Sequence, residues 1–287
     1  MLNISYMLKL VSPNFSDLFA PNIEIGNFPD GNTHIRIPKL EAYAGKEVTL
    51  FHRLYPNQNT AFFELLLILE ALKEIESKVT LVSPYLPYAR HDKAILEGEI
   101  TSASVTCNLI ARAGCQKLIT FDCHFFNEKG EKQYGDLFVQ NFSMGEELIA
   151  AARELFGQEK FEVVGLDKGA AYLVKNYGNK FLKKSRKAYG EDKIGYRDIE
   201  EMAIDFDLAG RNVLLIDDMI STGSTMLAGL EKIKQSGAKK IGVAAVHGLF
   251  LAGSAEKIGK MVDFVLSTDT VPSPLAKVSI KEKINKL

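Results

Sequence analysis

Short apolar runs alternate with longer amphipathic segments along the first half of the chain. We predict strands at 48–52, 79–83 and 117–121, where β-branched and aromatic residues cluster. We predict helices at 62–75 and 101–113, because apolar residues recur there at helical spacing. Strands that alternate with helices in this way indicate a parallel sheet with helices on both faces.

The same alternation starts again after residue 142. The elements predicted there are helices at 145–156, 170–176 and 225–235 and strands at 161–165, 180–184, 213–216, 241–246 and 263–266. The pattern therefore predicts an α/β protein with two domains of similar size, 1–142 and 143–287.

Composition and charge mainly exclude some classes of function. The chain has 287 residues, 46% of them hydrophobic, and a formal net charge of −1, so its bulk charge gives no sign of nucleic-acid or membrane binding. Its longest apolar run, 65–69, is far too short to span a bilayer. Residues 1–15 lack the apolar core of a signal peptide. We therefore expect a soluble, cytoplasmic protein.

The number and spacing of the cysteines predict buried side chains and indicate neither a disulfide framework nor a zinc site. The three cysteines, Cys107, Cys115 and Cys123, are too few and odd in number for a disulfide framework. Their even spacing matches no zinc-binding pattern. We expect all three to be small buried hydrophobic residues.

The segment 213–225 carries the strongest chemical signal in the sequence. An apolar strand predicted at 213–216 leads into Asp217 and Asp218, then into a short loop and a helix. Ligands of open α/β sheets bind at the carboxyl ends of the strands, and a helix N-terminus there favours a phosphate. The loop adds hydroxyl groups and one glycine that allows close approach of an anion: Ser221, Thr222, Gly223, Ser224 and Thr225.

The two carboxylates beside this loop need a separate explanation, since they repel a phosphate unless something else engages them. They would bind a metal ion or accept hydrogen bonds from the vicinal hydroxyls of a sugar. The segment therefore predicts a sugar-phosphate site, with hydroxyls on Asp217 and Asp218 and the phosphate on residues 221–225. The alternative is an ordinary strand–helix junction capped by an aspartate, but this segment exceeds what capping requires.

Segment 213–225 resembles the phosphoribosyl-pyrophosphate loop of type I phosphoribosyltransferases and of ribose-phosphate pyrophosphokinases. The first half adds elements that resemble the pyrophosphokinases in particular. Residues 28–32 resemble the family loop Phe-x-Asp-Gly-Glu, which reaches the nucleotide site of a neighbouring subunit. The resemblance implies that Phe28 stacks on adenine and that Asp30 accepts from its amino group, while Asn32 replaces the usual glutamate.

Three further segments resemble elements of the same family. Arg90 and His91 stand where the family has an Arg-Gln pair that contacts nucleotide, and a guanidinium suits phosphate oxygens. His124 matches the histidine of the family's Asp-x-His motif, which ligates Mg²⁺ and contacts ATP. Asp167 matches the carboxylate of the Pro-Asp-x-Gly-Gly turn, although Leu166 replaces its proline. The resemblance thus implies that His124 and Asp167 bind Mg²⁺.

The charged segment 181–198 has two interpretations, a solvated surface hairpin or a mobile basic loop over a polyanion site. Its start, 181–186, resembles the Lys-x-Arg signature that opens the catalytic loop of the family. The resemblance favours the second interpretation. It implies that Lys184 is the principal catalytic lysine and that Arg186 contacts phosphate, including that of ribose 5-phosphate.

The resemblance extends from about residue 6 to residue 280, and it implies two type I phosphoribosyltransferase-like domains, each a mainly parallel sheet flanked by helices. It also implies ATP and ribose 5-phosphate as substrates, Mg²⁺ as cofactor, and self-association to at least a dimer, with tetramers or hexamers in the family. We expect no nucleic-acid or membrane partner. Two alternatives stay open: a phosphoribosyltransferase, and a non-catalytic family member that regulates an active partner.

Overall fold

A computed structural model describes residues 8–126, 128–186 and 199–286. The chain divides into two units, Met1–Phe142 with Lys281–Leu287, and Ser143–Ile280. The helix Lys281–Asn285 thus groups with the first unit, although the sequence placed it in the second domain. Within these described ranges, every helix is too short or too polar to cross a membrane.

The first unit contains a six-stranded sheet and a separate hairpin. Its elements are β1 (Leu8–Val11), β2 (Glu24–Asn27), β3 (Thr33–Arg36), β4 (Glu47–Phe51), α1 (Gln58–Glu74), β5 (Lys78–Val82), α2 (Ser102–Arg112), β6 (Cys115–Phe121), β7 (Gly130–Tyr134) and β8 (Leu137–Phe142). The strand order is β1-β4-β5-β6-β8-β7, and only β7 runs antiparallel to its neighbour. Strands β2 and β3 form the antiparallel hairpin.

The second unit contains another six-stranded sheet and a second antiparallel strand pair. Its elements are α3 (Gly145–Leu155), β9 (Phe161–Gly165), α4 (Ala171–Val174), β10 (Lys180–Phe181), β11 (Lys183–Arg186), β12 (Ile199–Ala203), β13 (Asn212–Ile220), α5 (Ser224–Gln235), β14 (Lys240–Gly248), α6 (Ser254–Gly259), β15 (Phe264–Thr268) and β16 (Ala276–Val278). The order is β10-β9-β13-β14-β15-β16, all parallel, while β11 pairs with β12.

The predicted α/β class, with mainly parallel sheets flanked by helices, is confirmed. Each sheet is covered by apolar helix faces, as the helical spacing of leucines predicts. In α1, the side chains that pack against the sheet are fully buried: Leu65, Ile68, Leu69 and Leu72. In α5, Met226, Leu230 and Ile233 do the same for the second sheet.

Three predicted elements differ from the structure. The strand predicted at 180–184 is two strands in different sheets, β10 and β11, with buried Leu182 between them. The helix predicted at 170–176 has only one α-helical turn, α4, between two 3₁₀ turns. Strand β13 continues four residues past its predicted end at Ile216, because β14 pairs with it as far as Gly248. Pairing with a long neighbour thus outweighs the low strand propensity of aspartate.

The three cysteines are buried, as the sequence predicted. Burial raises the pKa of Cys107 and of Cys115 to about 12 in both cases. A thiol with such a pKa stays protonated at neutral pH, and only the thiolate is a good nucleophile. Cys107 and Cys115 are therefore packing residues of the first core.

His52 is a buried polar link between three elements of the first unit. Its Nδ1 accepts from the Ser12 hydroxyl at 2.8 Å, and its Nε2 donates to the Ala61 carbonyl at 2.8 Å. These contacts join the segments that follow β1 and β4 to the first turn of α1. Burial lowers the pKa of His52 from 6.5 to about 4, so the ring is neutral in the folded protein at physiological pH.

Acidification should therefore destabilise the first unit through His52. The unfolded chain binds a proton at His52 below pH 6.5, but the folded protein does so only near pH 4, so stability is lost as pH falls between these values. The expected loss of unfolding free energy from pH 7.5 to pH 5 is about 2 kcal/mol. Urea unfolding at both values, in the wild type and in His52→Gln, measures it.

The His52→Gln variant should be less stable at pH 7.5 but should lose less stability on acidification. Exposed His34→Gln serves as the matched control, and it should keep the full wild-type pH dependence. Equal pH dependence in the wild type and in His52→Gln would contradict the assignment of a neutral buried imidazole.

Candidate functional site

The loop 221–223 connects β13 to α5 at the carboxyl edge of the second sheet. Strand β13 is a central strand, paired with β9 on one side and β14 on the other. The backbone after β14 also holds the start of the loop: the Leu249 and Phe250 N–H groups donate to the Ile220 carbonyl at 3.0 and 3.2 Å. The Leu251 N–H donates to the Ser221 carbonyl at 3.0 Å. The loop is therefore fixed before any ligand arrives.

Gly223 is required at its position for two steric reasons. Its φ of +77° lies in the left-handed region, which costs a residue with a Cβ roughly 1–2 kcal/mol. A Cβ at Gly223 would also lie 2.7 Å from the Cβ of Ser254, which is fully buried. The Ser254 hydroxyl in turn donates to the Ser221 carbonyl at 3.2 Å. Ser254 thus packs against the loop and donates to its backbone. No local sequence pattern indicated this role.

Helix α5 starts directly after the loop and packs closely on the core at Gly229. A Cβ at Gly229 would lie 2.9 Å from the Leu166 side chain and 3.0 Å from the Leu182 side chain. The first N–H groups of a helix have no acceptors within the helix, and they attract anions. Around this N-terminus, Ser224 is exposed, while Ser221, Thr222 and Thr225 are half-buried. The geometry suits a phosphate group.

Asp217 and Asp218 lie within β13 and not after it, which corrects the sequence prediction. Consecutive strand residues point to opposite faces, so the two carboxylates do not form one continuous acidic surface. Both side chains are half-buried. The two residues therefore have different surroundings and cannot both serve the ligand in the same way.

Asp167 occupies the same edge of the sheet as this acidic pair. It follows β9, the neighbour of β13, and the Leu166 N–H donates to the Ile216 carbonyl at 2.9 Å. Its Oδ1 accepts from the Gly169 N–H at 2.7 Å, which caps the 3₁₀ turn Lys168–Ala170. The turn therefore orients the Asp167 carboxylate at the carboxyl edge.

These carboxylates suit a magnesium ion that arrives with phosphate ligands. Mg²⁺ prefers oxygen donors and is usually bound through one or two carboxylates, waters and substrate phosphates. Asp167 and one of the two β13 aspartates offer such oxygens at this edge, because Asp217 and Asp218 point to opposite faces of the strand. The described residues contain no cluster of three or more His, Cys, Asp or Glu that would form a complete metal cage. His124 belongs to the other unit.

The predicted catalytic pair lies on β11. The backbone of Lys184 pairs opposite Met202 and that of Arg186 opposite Ile199, with an irregularity before Arg186. The neighbouring Lys183 forms an ion pair with Asp205 at 2.9 Å. Most of the predicted mobile loop, 187–198, lies outside the described residues.

In the first unit, Arg90, His91 and His124 follow neighbouring strands at one sheet edge. Arg90 and His91 lie in the segment after β5, and His124 lies just after β6. The two segments are linked, because the Phe121 N–H donates to the Pro84 carbonyl at 3.2 Å. All three side chains are exposed. The topology therefore brings these candidates to one edge without a ligand.

The turn that carries His124 is held by β8. The Asp122 N–H donates to the Phe142 carbonyl at 2.7 Å, and the Cys123 N–H donates to Asn141 Oδ1 at 2.9 Å. Asn141 is buried, and its amide also donates to the Glu128 carbonyl. Sequence reasoning missed Asn141, since its contacts with the turn join residues 18 positions apart.

The predicted adenine-binding residues lie at the tip of the β2–β3 hairpin. Phe28 is 51% exposed, with its ring edge-on to His34 at a centroid distance of 5.1 Å. The Asp30 carboxylate accepts from the Asn32 N–H at 3.0 Å and from its side-chain amide at 2.8 Å. The Asn32 side chain thus orders the tip, and Phe28 presents an open aromatic surface.

Comparison with known proteins identifies the class of fold and then the family. Residues 16–114 match the N-terminal domain of ribose phosphate pyrophosphokinase, and residues 140–274 match the phosphoribosyl transferase domain. A ribose-phosphate pyrophosphokinase of Sulfurisphaera tokodaii is 35% identical over 88% of this chain and 86% of its own length. That of Pyrococcus abyssi is 32% identical over 93% and 90%. The chain belongs to the ribose-phosphate pyrophosphokinase family.

A solved structure supports the fold independently. The crystal structure of phosphoribosylpyrophosphate synthetase from Mycobacterium smegmatis superimposes with a TM-score of 0.78 at 20% identity. It covers 97% of this chain, and this chain covers 96% of it. The predicted phosphoribosyltransferase-type fold is therefore confirmed, and the relatives above confirm the predicted family.

Replacement of Gly223 by alanine should disrupt the loop. The new Cβ meets Ser254 at 2.7 Å, so either the loop or α6 must shift. We expect the affinity for ribose 5-phosphate, the ligand that the sequence predicts for this loop, to fall about tenfold or more, as for the loss of a charged hydrogen bond. Isothermal titration calorimetry measures this affinity.

Gly237→Ala is the matched control for this experiment. Gly237 has a φ of +78° but no atom within 3.4 Å of an added Cβ, and it follows the other end of α5. Both variants should lose thermal stability, but only Gly223→Ala should lose ligand affinity. Unchanged affinity in Gly223→Ala would remove the loop from the proposed phosphate site.

Proposed function

We propose that this chain is a ribose-phosphate diphosphokinase. It transfers the β,γ-pyrophosphoryl group of Mg-ATP to the C1 hydroxyl of ribose 5-phosphate, giving 5-phosphoribosyl 1-pyrophosphate and AMP. The observation that carries the proposal is the fixed, hydroxyl-rich loop between β13 and α5, supported by Ser254, in a member of this family.

In this proposal the loop binds the 5-phosphate and the acidic pair engages the ribose. The contacts come from Ser221, Thr222, Gly223, Ser224 and Thr225, through hydroxyl and backbone N–H donors at the helix N-terminus. Arg186 adds a guanidinium to the sugar phosphate. Because Asp217 and Asp218 point to opposite faces of β13, one of them accepts from the ribose hydroxyls directly. The other acts through the metal or through the loop.

The first unit provides the nucleotide contacts in this proposal. Arg90 and His91 donate to phosphate oxygens, and His124 contacts the nucleotide at the neighbouring strand end. The exposed ring of Phe28 stacks on adenine, and the side chains of Asp30 and Asn32 provide polar groups at the same hairpin tip. By the family resemblance, this hairpin serves the nucleotide site of a neighbouring subunit, which requires at least a dimer.

Catalysis in this proposal rests on positioning and on neutralisation of charge. The C1 hydroxyl attacks the β-phosphorus, and AMP leaves as negative charge spreads over the transferred oxygens. Lys184 and Arg186 neutralise this charge from β11. By the family resemblance, His124 and Asp167 would hold Mg²⁺, which when bound would supply part of the neutralisation of the phosphate charge. Asp167 is suited to this role because the Gly169 N–H already orients it.

We further propose a cytoplasmic, self-associating enzyme. Helices α1 and α2 pack on each other and leave apolar side chains in solvent at spacings of four residues. These are Phe63 and Leu67 on α1 and Val105 and Leu109 on α2. Exposed apolar side chains grouped on one helix pair favour a protein–protein contact. They support a dimer at least, while a tetramer or hexamer requires a further contact.

A phosphorus NMR assay tests the reaction. The protein is incubated with Mg-ATP and ribose 5-phosphate, and we expect signals of AMP and of a C1-linked pyrophosphate in equal amounts. A phosphoribosyltransferase would leave ATP intact and would instead consume added phosphoribosyl pyrophosphate with a base. Nucleotide binding without turnover would identify a non-catalytic regulatory member and refute the proposal.

Removal of the Lys184 ammonium group should slow the chemical step. We expect Lys184→Ala to lower kcat by about 10²–10³, comparable to the loss of one preorganised donor to a developing charge, with a much smaller change in KM for ribose 5-phosphate. Lys183→Ala is the matched control, because Lys183 is the adjacent strand residue and pairs with Asp205. An unchanged kcat in Lys184→Ala, or an equal loss in both variants, would exclude this role.

A further inference from the structure

A cleft lies at the amino edge of the second sheet, opposite the carboxyl edge that carries the candidate active site. Its volume is about 660 Å³, which is within the range of small-molecule sites. It is lined by the first residues of β9 and β13, Phe161 and Asn212, and by the segments that precede β13 and β14. Strand β13 rises roughly 3.3 Å per residue, so its nine residues separate this amino edge from the loop at 221–223 by about 26 Å. The cleft is therefore distinct from the candidate active site.

Cationic side chains predominate in the lining of this cleft. The lining contains four cations, Arg153, Lys160, Arg211 and Lys239, against two carboxylates, Glu159 and Glu162. The guanidinium of Arg153 lies 5.9 Å from the centroid of the Phe161 ring, which also lines the cleft. A concave surface with this excess of positive charge attracts small anions.

The two carboxylates are already engaged by flanking cations. Glu159 accepts from the Asn212 amide and pairs with Lys239 at 3.1 Å and Lys240 at 3.3 Å, and these contacts, the Asn212 hydrogen bond foremost, lower its pKa to about 2. Glu162 pairs with Lys180 and Arg211, both at 2.6 Å.

Arg153 and Lys160 make no ion pair among the residues that the structure describes. Their charges are thus available to a ligand.

The Asn212 side chain holds the backbone and one carboxylate of this cleft in place. Asn212 is 4% exposed, and its amide donates to Glu159 at 3.0 Å and to the Lys160 carbonyl at 3.2 Å. The position of Lys160 is therefore fixed by a buried hydrogen bond to its own backbone.

We propose that this cleft binds a small phosphorylated anion. Arg153 and Lys160 contact the phosphoryl oxygens, since a guanidinium forms paired hydrogen bonds with phosphate. The site belongs to the second unit alone and does not depend on the function proposed for the carboxyl edge.

Methyl NMR on the full-length protein tests this proposal, with inorganic pyrophosphate as the probe and citrate as a carboxylate arm. The Val163 methyl groups report on the cleft that they line, and the Ile220 methyl groups report on the sugar-phosphate loop. We expect a saturable shift of Val163 with pyrophosphate.

The double variant Arg153→Gln/Lys160→Gln should weaken the Val163 response about tenfold or more, while the Ile220 response stays unchanged. Exposed Lys234→Gln on α5 is the matched charge control, and it should bind like the wild type. Since neither replaced residue has an ion pair in the described chain, the fold should persist; the two single variants repeat the test if the double variant unfolds.

Three results would overturn the proposal. The first is the absence of a saturable Val163 shift with pyrophosphate. The second is an unchanged Val163 affinity in the double variant. The third is a response to citrate alone, which would assign the cleft to carboxylates instead of phosphates.

Discussion

The central position of β13 is the constraint on which the second unit depends. Because β9 and β14 pair with both edges of this strand, its register fixes where the backbone leaves the sheet at Ile220. Backbone N–H groups in the segment after β14 then hold the loop, because they donate to the carbonyls of Ile220 and Ser221. The contact between Gly223 and Ser254 leaves the loop a single path into α5. The hydroxyl groups of the candidate phosphate site thus lie on backbone that is held by hydrogen bonds from the segment after β14.

The two ends of β13 also carry different kinds of chemical group. Its carboxyl end presents carboxylates and hydroxyl groups, which suit a metal-bound sugar phosphate. Its amino end presents the cationic cleft around Asn212. A rigid parallel sheet allows both, since residues at opposite strand ends do not compete for the same space. In the first unit, the exposed candidates Arg90, His91 and His124 lie at one sheet edge.

The residues of the phosphate loop were predictable because they are contiguous. Hydroxyl groups, a glycine and a following helix occur within one short segment, so the chemistry is visible without the fold. The supporting residues were not predictable. Ser254 lies 33 positions from Ser221, and Asn141 lies 18 positions from Cys123, so only folding brings each pair together. The end of β13 was misjudged for the same reason, since its partner β14 extends it.

The sequence by itself determined the α/β class, the alternation of elements and the family, because periodicity and contiguous motifs are local properties of a chain. The tertiary structure decided which residues share an edge, that Asp217 and Asp218 point to opposite faces, and that cations gather at the amino edge. Those facts depend on strand order and register, which hydrogen bonds between distant segments establish. Local sequence patterns do not specify which distant segments pair. These features therefore could not be predicted from single segments.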